Sequence, residues 1–157
     1  GRRAEELVEL FHILQREERT PDDFRQWLAR TGLGSAIFAV KPGDGSAREQ
    51  AASCQKVLGG QANIALEYAT KRYRSNLINW GTAPFTIEET AAAGLAVGDW
   101  IYIPGIRRAV RDGAEGIAAF LIRGGARAPL NLKMEGLSSE DREILLAGCL
   151  INHYARG

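Results

Sequence analysis

Three features of the sequence predict a mixed α/β domain. The apolar runs "SAIFAV" and "ANIALEYA" are each followed by a segment with helical spacing, which is the pattern of parallel strands joined by a helix. Two later apolar runs, "GIAAFLIRGG" and "APLNLKM", are separated by "RGGAR" and predict a β-hairpin. Helical patterns precede and follow these runs, and a length of 157 residues fits one domain.

Two helices are predicted before the first strand. The segment Glu5–Arg19 places apolar side chains at helical intervals. A second helix is expected to begin at "RTPDDF", with Thr20 as its N-cap and Pro21 in its first turn. The predicted inner face of this helix comprises Phe24, Trp27 and Leu28.

The central part of the chain alternates strands and helices. Buried strands are predicted at Ser35–Val40 and Ala62–Leu66, with a helix at Ser46–Leu58 between them. The segment "TKRYRSNLINWG" predicts a helix or helical turn that ends at Gly81. Beyond it, "TIEE" has the spacing of a capping box at the start of a short helix, with Thr86 as the N-cap.

The last third of the chain predicts a strand, a surface loop, the hairpin and a closing helix. "VGDWIYIPGI" predicts a strand that ends in a turn at Pro104 and Gly105, and the basic "GIRRAVRDG" predicts a surface loop. "LSSEDREILLAGCLINHYA" predicts a single helix, with Ser138 or Ser139 as its N-cap and acidic residues in its first turn.

The composition indicates an ordinary globular protein without a strong charge bias. Hydrophobic residues make up 45% of the chain, and 20 Lys and Arg against 19 Asp and Glu give a formal charge of +1. This balance does not favour a nucleic-acid partner, and the apolar runs are too short to span a bilayer. The charged N-terminus lacks the apolar core of a signal peptide, so we expect a cytoplasmic location.

The sequence predicts no metal site on this chain. The two cysteines, Cys54 and Cys149, are far apart and lie in apolar helical patterns, so buried free thiols are expected. Two thiols cannot supply the three or four cysteine ligands of an iron–sulfur cluster. His12 and His153 lie near opposite ends of the chain, which does not favour a histidine-based site.

The stretch "GDGSARE" is the strongest candidate for a binding site. A strand that runs through a glycine-rich loop into a helix presents backbone N–H groups and the positive end of the helix dipole, which together bind phosphate or carboxylate. Arg48 would add a bidentate contact to a carboxylate, and Ser46 would add a hydroxyl. The structural alternative is that Ser46 and Glu49 form a capping box. The stretch matches neither the P-loop nor the dinucleotide-binding fingerprint.

Two motifs in this region resemble those of a known family. "GDGSAREQAA" is similar to the "GxGSSREHAA" signature of the swivel domain of the aconitase superfamily. "LGGQANIALEYATKRYRSNLINWGTAPF" resembles that family's "LGxxAIIAKSFARIHRSNLINFGILPL", and "AGLAVGDWIYIPGI" resembles the strand that follows it. The resemblance covers most of the chain and implies a swivel-type β/β/α domain, with a mixed sheet flanked by helices.

The resemblance also implies a role in a hydratase, a lyase that acts on a hydroxy di- or tricarboxylate. In that family a mobile C-terminal domain closes over a 4Fe-4S cluster, so the expected partners are cluster-bearing domains of the same chain or a large subunit. The first serine of the motif, Ser46 here, is implied as the catalytic base. Gly45, Ala47 and Arg48 are implied as substrate-binding residues. The residues expected to support this loop are Gly43, Asp44, Arg74 and Asn76.

The chain departs from the family pattern at several positions. The second serine of the motif is Ala47, and the histidine after the glutamate is Gln50. Keeping Ser46 and Arg48 indicates that a hydroxyl and a carboxylate contact still matter, whereas Ala47 leaves the exact substrate open.

With two cysteines the chain cannot hold the cluster, so residues 1–157 are expected to form a single domain that is inactive alone. The start at "GRRAEELVELF", without Met, favours the C-terminal part of a longer chain. One alternative is a small subunit like that of isopropylmalate isomerase. Another is a degenerate, non-catalytic swivel module that binds protein or RNA. Lys71, Arg72 and Arg74 surround Tyr73 and could contact RNA, but a solvated charged face is the favoured interpretation.

Overall fold

The structure is a computed structural model that describes residues 2–18 and 23–155, with side chains described for residues 5–16 and 23–155. The helices within these ranges are α1 Arg2–Glu18, α2 Phe24–Arg30, α3 Arg48–Val57, α4 Lys71–Asn79, α5 Glu89–Ala92, α6 Ile106–Asp112, α7 Ser139–Ala147 and α8 Leu150–Tyr154. The strands are β1 Ser35–Ala39, β2 Gly60–Ala65, β3 Ala83–Thr86, β4 Trp100–Tyr102, β5 Gly116–Arg123 and β6 Ala126–Lys133.

All of these strands form one mixed sheet in the order β1-β2-β3-β6-β5-β4. The first three strands are parallel, because α3 and α4 each bring the chain back to the end of the sheet at which the preceding strand began. The β5–β6 hairpin turns at Gly124 and Gly125, whose φ angles of 54° and 77° suit a two-residue hairpin turn. The predicted mixed α/β class is therefore confirmed.

The main core lies between the centre of the sheet and the helices that follow β3. Its buried members come from β2, β3, β5, β6, α5, α6 and the segments beside them: Ile64, Phe85, Ile87, Ala92, Val110, Ile117, Ala119, Leu130, Leu132 and Met134. A separate small cluster of Ala52, Tyr73 and Leu77 lies where α3 packs against α4. This second cluster is the one beneath the glycine-rich loop.

The two N-terminal helices pack over the outer end of the hairpin. Leu14 of α1 and Trp27 of α2 are buried in a cluster that also contains Ile122 of β5. Asp23 is the N-cap of α2, because its side chain accepts a hydrogen bond from the N–H of Gln26 at 2.9 Å. The predicted start at Thr20 and Pro21 lies outside the described residues. Leu28, expected on the inner face, is exposed.

The first strand is predicted correctly in position but wrongly in burial. β1 forms the edge of the sheet, and Ile37 and Phe38 are 39% and 43% exposed. Because a run of apolar residues is typical of a strand covered on both faces, the sequence pattern alone indicates a buried position. By contrast, β2 lies between two parallel neighbours, and its Ile64 is buried as expected.

Two predicted helix caps are wrong. The helix α3 begins at Arg48 with Ala47 as its N-cap and without a side-chain cap bond, so Ser46 and Glu49 do not form a capping box. Thr86 belongs to β3, where it pairs with Lys133, and α5 begins only after Glu88. In both places the chain is held by tertiary contacts, which override a local capping pattern.

Two further predictions fail in the last third of the chain. "GIRRAVRDG" is not a surface loop, because it contains α6, and the apolar Val110 is buried against the main core. The closing segment forms two helices rather than one, because Gly148 adopts a φ of 94° and ends α7. Ser138 caps α7 in a capping box with Asp141, as one predicted option has it.

The two free cysteines are less buried than expected. Cys54 is exposed on α3, and Cys149 is partly exposed as the N-cap residue of α8. In the described ranges no helix combines the length and the apolar character needed to cross a bilayer.

Candidate functional site

The glycine-rich loop lies at the carboxyl end of β1, beside the exit of β2. The N–H of Glu67 donates to the carbonyl of Val40 at 3.2 Å, and the N–H of Ala69 donates to the carbonyl of Pro42 at 2.9 Å. Lys41 and Glu67 form an exposed ion pair at 2.7 Å. The bond to Glu67 raises the pKa of Lys41. Hydrogen bonds therefore link the segments that follow two neighbouring parallel strands. This is the end of the sheet at which ligands bind in open α/β proteins.

Gly43 is the anchored residue of this loop. It has a φ of 96°, and a Cβ at this position would lie 2.5 Å from the ring of Tyr73. Its carbonyl oxygen accepts hydrogen bonds from Arg48 Nε and from Thr70 Oγ1, both at 3.2 Å. Only glycine fits here, because the backbone lies directly on an aromatic ring in a conformation that side chains disfavour.

The tip of the loop is exposed and leads directly into α3. Asp44, Gly45, Ser46 and Ala47 are all exposed, and Arg48 is the partly buried first residue of the helix. Glu49 does not reach back to Ser46; its carboxylate accepts a hydrogen bond from Trp80 Nε1 at 3.2 Å. The Ser46 hydroxyl is therefore not used as a helix cap.

Arg48, two residues after Ser46, carries the guanidinium of this loop. A guanidinium carries five N–H donors, and the bond to the carbonyl of Gly43 uses the one on Nε. The two terminal nitrogens form the fork that matches a carboxylate. A carboxylate ligand is thus the chemistry that this guanidinium suits best.

Arg74 and Asn76, which the sequence predicts to support the loop, form their hydrogen bonds with other parts of the chain. Both are partly exposed on α4, and Arg74 Nη2 donates to the backbone carbonyl of Glu135, which follows β6. Asn76 contributes its backbone carbonyl to the N–H of Trp80 at 3.1 Å. Arg74 also lines a separate open cleft of about 460 Å³, together with Lys71, Lys133, Glu67, Glu88 and Glu135.

Tyr68 borders this cleft and links two strands. Its hydroxyl donates towards the backbone carbonyls of Phe85 at 3.0 Å and Asn63 at 3.3 Å. Burial raises the pKa of Tyr68, so its phenol remains protonated as a donor. The cleft is lined by three acidic and three basic side chains, so it lacks the uniform positive charge of an anion or nucleic-acid site.

Sequence reasoning missed Thr70, Tyr73, Gln55 and Asn63 as the support of the loop. Thr70 is the N-cap of α4 and accepts from the N–H of Tyr73 at 3.2 Å. Within "TKRYRSN" the basic neighbours of Tyr73 indicate a solvated face, yet Tyr73 itself is buried. The one signal in the sequence is a threonine ahead of a helical pattern, which is a common N-cap.

The described residues do not fit an iron–sulfur cluster. No group of three or more His, Cys, Asp or Glu side chains among them is arranged to hold a metal ion. Cys54 and Cys149 are separate free thiols. Any cluster in the complete protein would therefore need ligands from other domains.

The chain is an α/β domain whose glycine-rich loop lies at the carboxyl ends of its parallel strands, which is where ligands bind in open α/β sheets. Residues 15–90 match the family model described as the aconitase C-terminal domain. A relative from Emericella nidulans, named "Putative aconitate hydratase, mitochondrial", is 26% identical over 140 residues. The alignment covers 87% of this chain and 17% of that relative. The family match and this relative both support the resemblance to the C-terminal domain of the aconitase superfamily that the motifs predict.

Proposed function

We propose that this chain is the C-terminal domain of an aconitase-like hydratase that acts on a hydroxy di- or tricarboxylate. The supporting observation is the family match at residues 15–90, which includes the strand–loop–helix turn carrying Ser46 and Arg48. In this proposal residues 1–157 form one domain that closes over a site built by cluster-bearing domains. Gly45, Ala47 and Arg48 contact the substrate at the exposed end of the loop.

Ser46 is proposed to transfer the proton of the reaction. In the dehydration direction its Oγ, as an alkoxide, takes the proton from the carbon next to a substrate carboxylate. The electron pair of that C–H bond forms the C=C bond, and the hydroxyl on the neighbouring carbon leaves as water after it takes a proton from a donor of the other domains. Ser46 then releases its proton to solvent, which restores the alkoxide. Hydration is the reverse, so atoms and electrons balance without an oxidant or reductant.

An alkoxide base requires a favourable environment, and the loop offers one in part. In this proposal the backbone N–H groups at the start of α3 and the guanidinium of Arg48, two residues after Ser46, supply positive charge to the Ser46 hydroxyl in the closed site. The exposed loop must be covered to exclude water, which agrees with a domain that closes onto others. The 4Fe-4S cluster of the proposal belongs to those domains, and none of the roles assigned to this chain depends on its geometry.

Location is a separate part of the proposal. The sequence favours the cytoplasm, whereas the name of the Emericella nidulans relative contains the word mitochondrial. Fluorescent tagging of the complete protein at its C-terminus distinguishes the two compartments. We keep the cytoplasm as the expected outcome, and fluorescence confined to mitochondria would contradict it.

Ser46→Ala in the complete enzyme, with its cluster rebuilt, tests the catalytic role. We expect kcat for the hydration of aconitate, or of the enzyme's preferred unsaturated acid, to fall about 10³-fold with a small change in KM, because a general base contributes on this scale. Ser53→Ala is the matched control, since Ser53 also lies on α3 and its Oγ donates to the carbonyl of Gln50 at 3.2 Å.

Equal turnover by the Ser46→Ala and Ser53→Ala enzymes would contradict the proposal. Salt-dependent RNA binding by this domain, found together with that result, would favour the non-catalytic swivel module instead. Activity that appears only when a separate large subunit is added would favour the small-subunit alternative.

A further inference from the structure

Tyr73 is a buried aromatic residue on which the glycine-rich loop lies. The residue is 2% exposed, and a Cβ on Gly43 would approach three atoms of the tyrosine side chain at 2.5 Å each. That distance means that the Gly43 backbone is in direct contact with the ring. Any tilt of the ring towards the loop would therefore displace the Gly43 peptide.

The orientation of this ring is fixed by hydrogen bonds from two other elements. Gln55 Nε2 of α3 donates to the Tyr73 hydroxyl at 2.8 Å, and Asn63 Nδ2 of β2 donates to it at 2.9 Å. Asn63 is itself only 2% exposed. Because the hydroxyl oxygen accepts both bonds inside the protein, their loss would leave buried donors without partners.

The Gly43 peptide, which lies on the Tyr73 ring, is also the group that binds the Arg48 side chain. The carbonyl of Gly43 accepts from Arg48 Nε and from Thr70 Oγ1, and Thr70 also accepts from the N–H of Tyr73. Gln55 and Arg48 lie on the same helix, about two turns apart. The Tyr73 hydroxyl, the ring, the Gly43 carbonyl and the Arg48 guanidinium thus form one continuous series of contacts.

We propose that Tyr73 is a positioning residue for Arg48, acting through Gly43 and oriented by Gln55 and Asn63. This inference rests on the proposed function, in which the Arg48 fork binds a substrate carboxylate. Arg48 Nε reaches a carbonyl whose position depends on the ring, so a loosened ring misdirects the fork without removing it. A core tyrosine with no such role would affect stability alone.

Tyr73→Phe in the complete enzyme tests the proposal, because it keeps the ring and removes the hydroxyl. We expect KM for the carboxylate substrate to rise about tenfold while kcat changes less, as the loss of a positioning contact predicts. Gln55→Leu removes one of the two donors and is expected to shift KM in the same direction by a smaller factor. Gln55→Leu carries the test alone if Tyr73→Phe does not fold.

A double-mutant cycle with Arg48→Gln separates positioning from simple stability. If Tyr73 acts through Arg48, then Tyr73→Phe adds almost nothing to KM when Arg48 is already Gln. Val110→Ala is the matched control, since Val110 is buried in the main core and lies outside this series of contacts. It is expected to lower the melting temperature and leave KM unchanged.

Three results would overturn the inference. The first is an unchanged KM in folded Tyr73→Phe, or in folded Gln55→Leu where that variant carries the test. The second is the same rise in KM from Tyr73→Phe with and without Arg48. The third is an unchanged KM in Arg48→Gln, which would overturn the proposed carboxylate contact and this inference together. The first two leave the proposed function in place, so the two failures are distinguishable.

Discussion

The two halves of the sheet are built in different ways. The parallel half, β1 to β3 with α3 and α4, carries the candidate site and contains the buried polar residues Asn63 and Thr82. The antiparallel half, β4 to β6, consists of a long hairpin and a short strand packed with apolar side chains. The described register joins the halves at one pair, Thr86 and Lys133. Both halves share the apolar main core, and the site-bearing half adds close contacts around polar groups to it.

Glycines show the same difference. At Gly43 and Gly81 in the parallel half, glycine is required because the Tyr73 ring and the Gly148 carbonyl, respectively, occupy the space of a side chain. In the hairpin, Gly124 has a positive φ, but a Cβ added there would meet nothing within 4 Å. At the first kind of position a side chain must displace its neighbour, whereas at the second it costs only backbone strain.

Gly81→Ala is expected to have the largest effect. A Cβ at this position would lie 1.7 Å from the carbonyl oxygen of Gly148, and the φ of Gly81 is 68°. The turn is also fixed by Lys56 Nζ, which donates to the Gly81 carbonyl at 3.2 Å. We expect a loss of more than about 4 kcal/mol in the free energy of unfolding, measured by urea denaturation.

Gly124→Ala is the control for this loss. It introduces the same methyl group at a φ of 54° with open space around it. A cost of about 1 kcal/mol is expected from the backbone conformation alone. Similar losses from the two substitutions would show that close backbone approach does not distinguish the halves.

Gly43→Ala is expected to have the next largest effect, a loss of about 2 to 3 kcal/mol in the free energy of unfolding. The loss is smaller than at Gly81, because the Tyr73 side chain can move slightly whereas the backbone carbonyl of Gly148 cannot. Gly45→Ala, two residues along the same loop, is the matched control, since a Cβ there meets nothing within 4 Å. It should change the free energy of unfolding by less than about 0.5 kcal/mol. Urea denaturation of both variants gives the comparison, and equal losses would argue against the contact with Tyr73.

The sequence predicts the order of strands and helices well because local patterns determine them. The hairpin at "RGGAR", the helix after Thr70 and the capping of α7 by Ser138 follow from turn and cap chemistry. The edge position of β1 could not be predicted, because an apolar run has the same composition at an edge and in the centre of a sheet. Local composition is equally ambiguous at α6, whose four charged residues favour a surface loop although the segment is helical.

The candidate site is predictable where chemistry and sequence spacing coincide. The motif places Ser46 and Arg48 two residues apart, so their proximity follows from the sequence alone. The support by Tyr73, Gln55 and Asn63 comes from three different elements. Its members are separated by up to 18 residues, and only the packing of α3, β2 and α4 brings them together. Arg74, close to this network in sequence, instead donates to the backbone carbonyl of Glu135, which follows β6.

Asp99 offers a test of the antiparallel half that depends on pH. Its carboxylate accepts from Arg123 Nε at 2.6 Å and Nη2 at 2.5 Å, and from the N–H of Ala96 at 2.7 Å. The bond from Arg123 holds the pKa of Asp99 below its usual range. The carboxylate therefore stabilises the fold above about pH 4, its pKa in the unfolded chain, and this contribution is lost as the pH falls.

Asp99→Asn should thus lower stability at pH 7, and its difference from the natural chain should shrink on acidification to pH 3. Urea denaturation at the two pH values measures this. Glu88→Gln is the control, because the bond from Lys133 also lowers the pKa of Glu88. The Glu88 side chain is 69% exposed, so this substitution is expected to change stability less between the two pH values. A difference for Asp99→Asn that persists at pH 3 would mean that charge is not its cause.

Phe38→Ala is expected to have the smallest effect, although it removes the most atoms. Phe38 lies opposite Ile64 in the parallel β1–β2 pair, but it is 43% exposed while Ile64 is 2% exposed. Since part of the phenyl ring remains in water, its removal should cost about 1 kcal/mol, against about 3 kcal/mol for Ile64→Ala. Thermal unfolding of the two variants compares them directly. A loss for Phe38→Ala as large as that for Ile64→Ala would mean that β1 is covered in solution, and that the apolar run of its sequence indicates a buried strand after all.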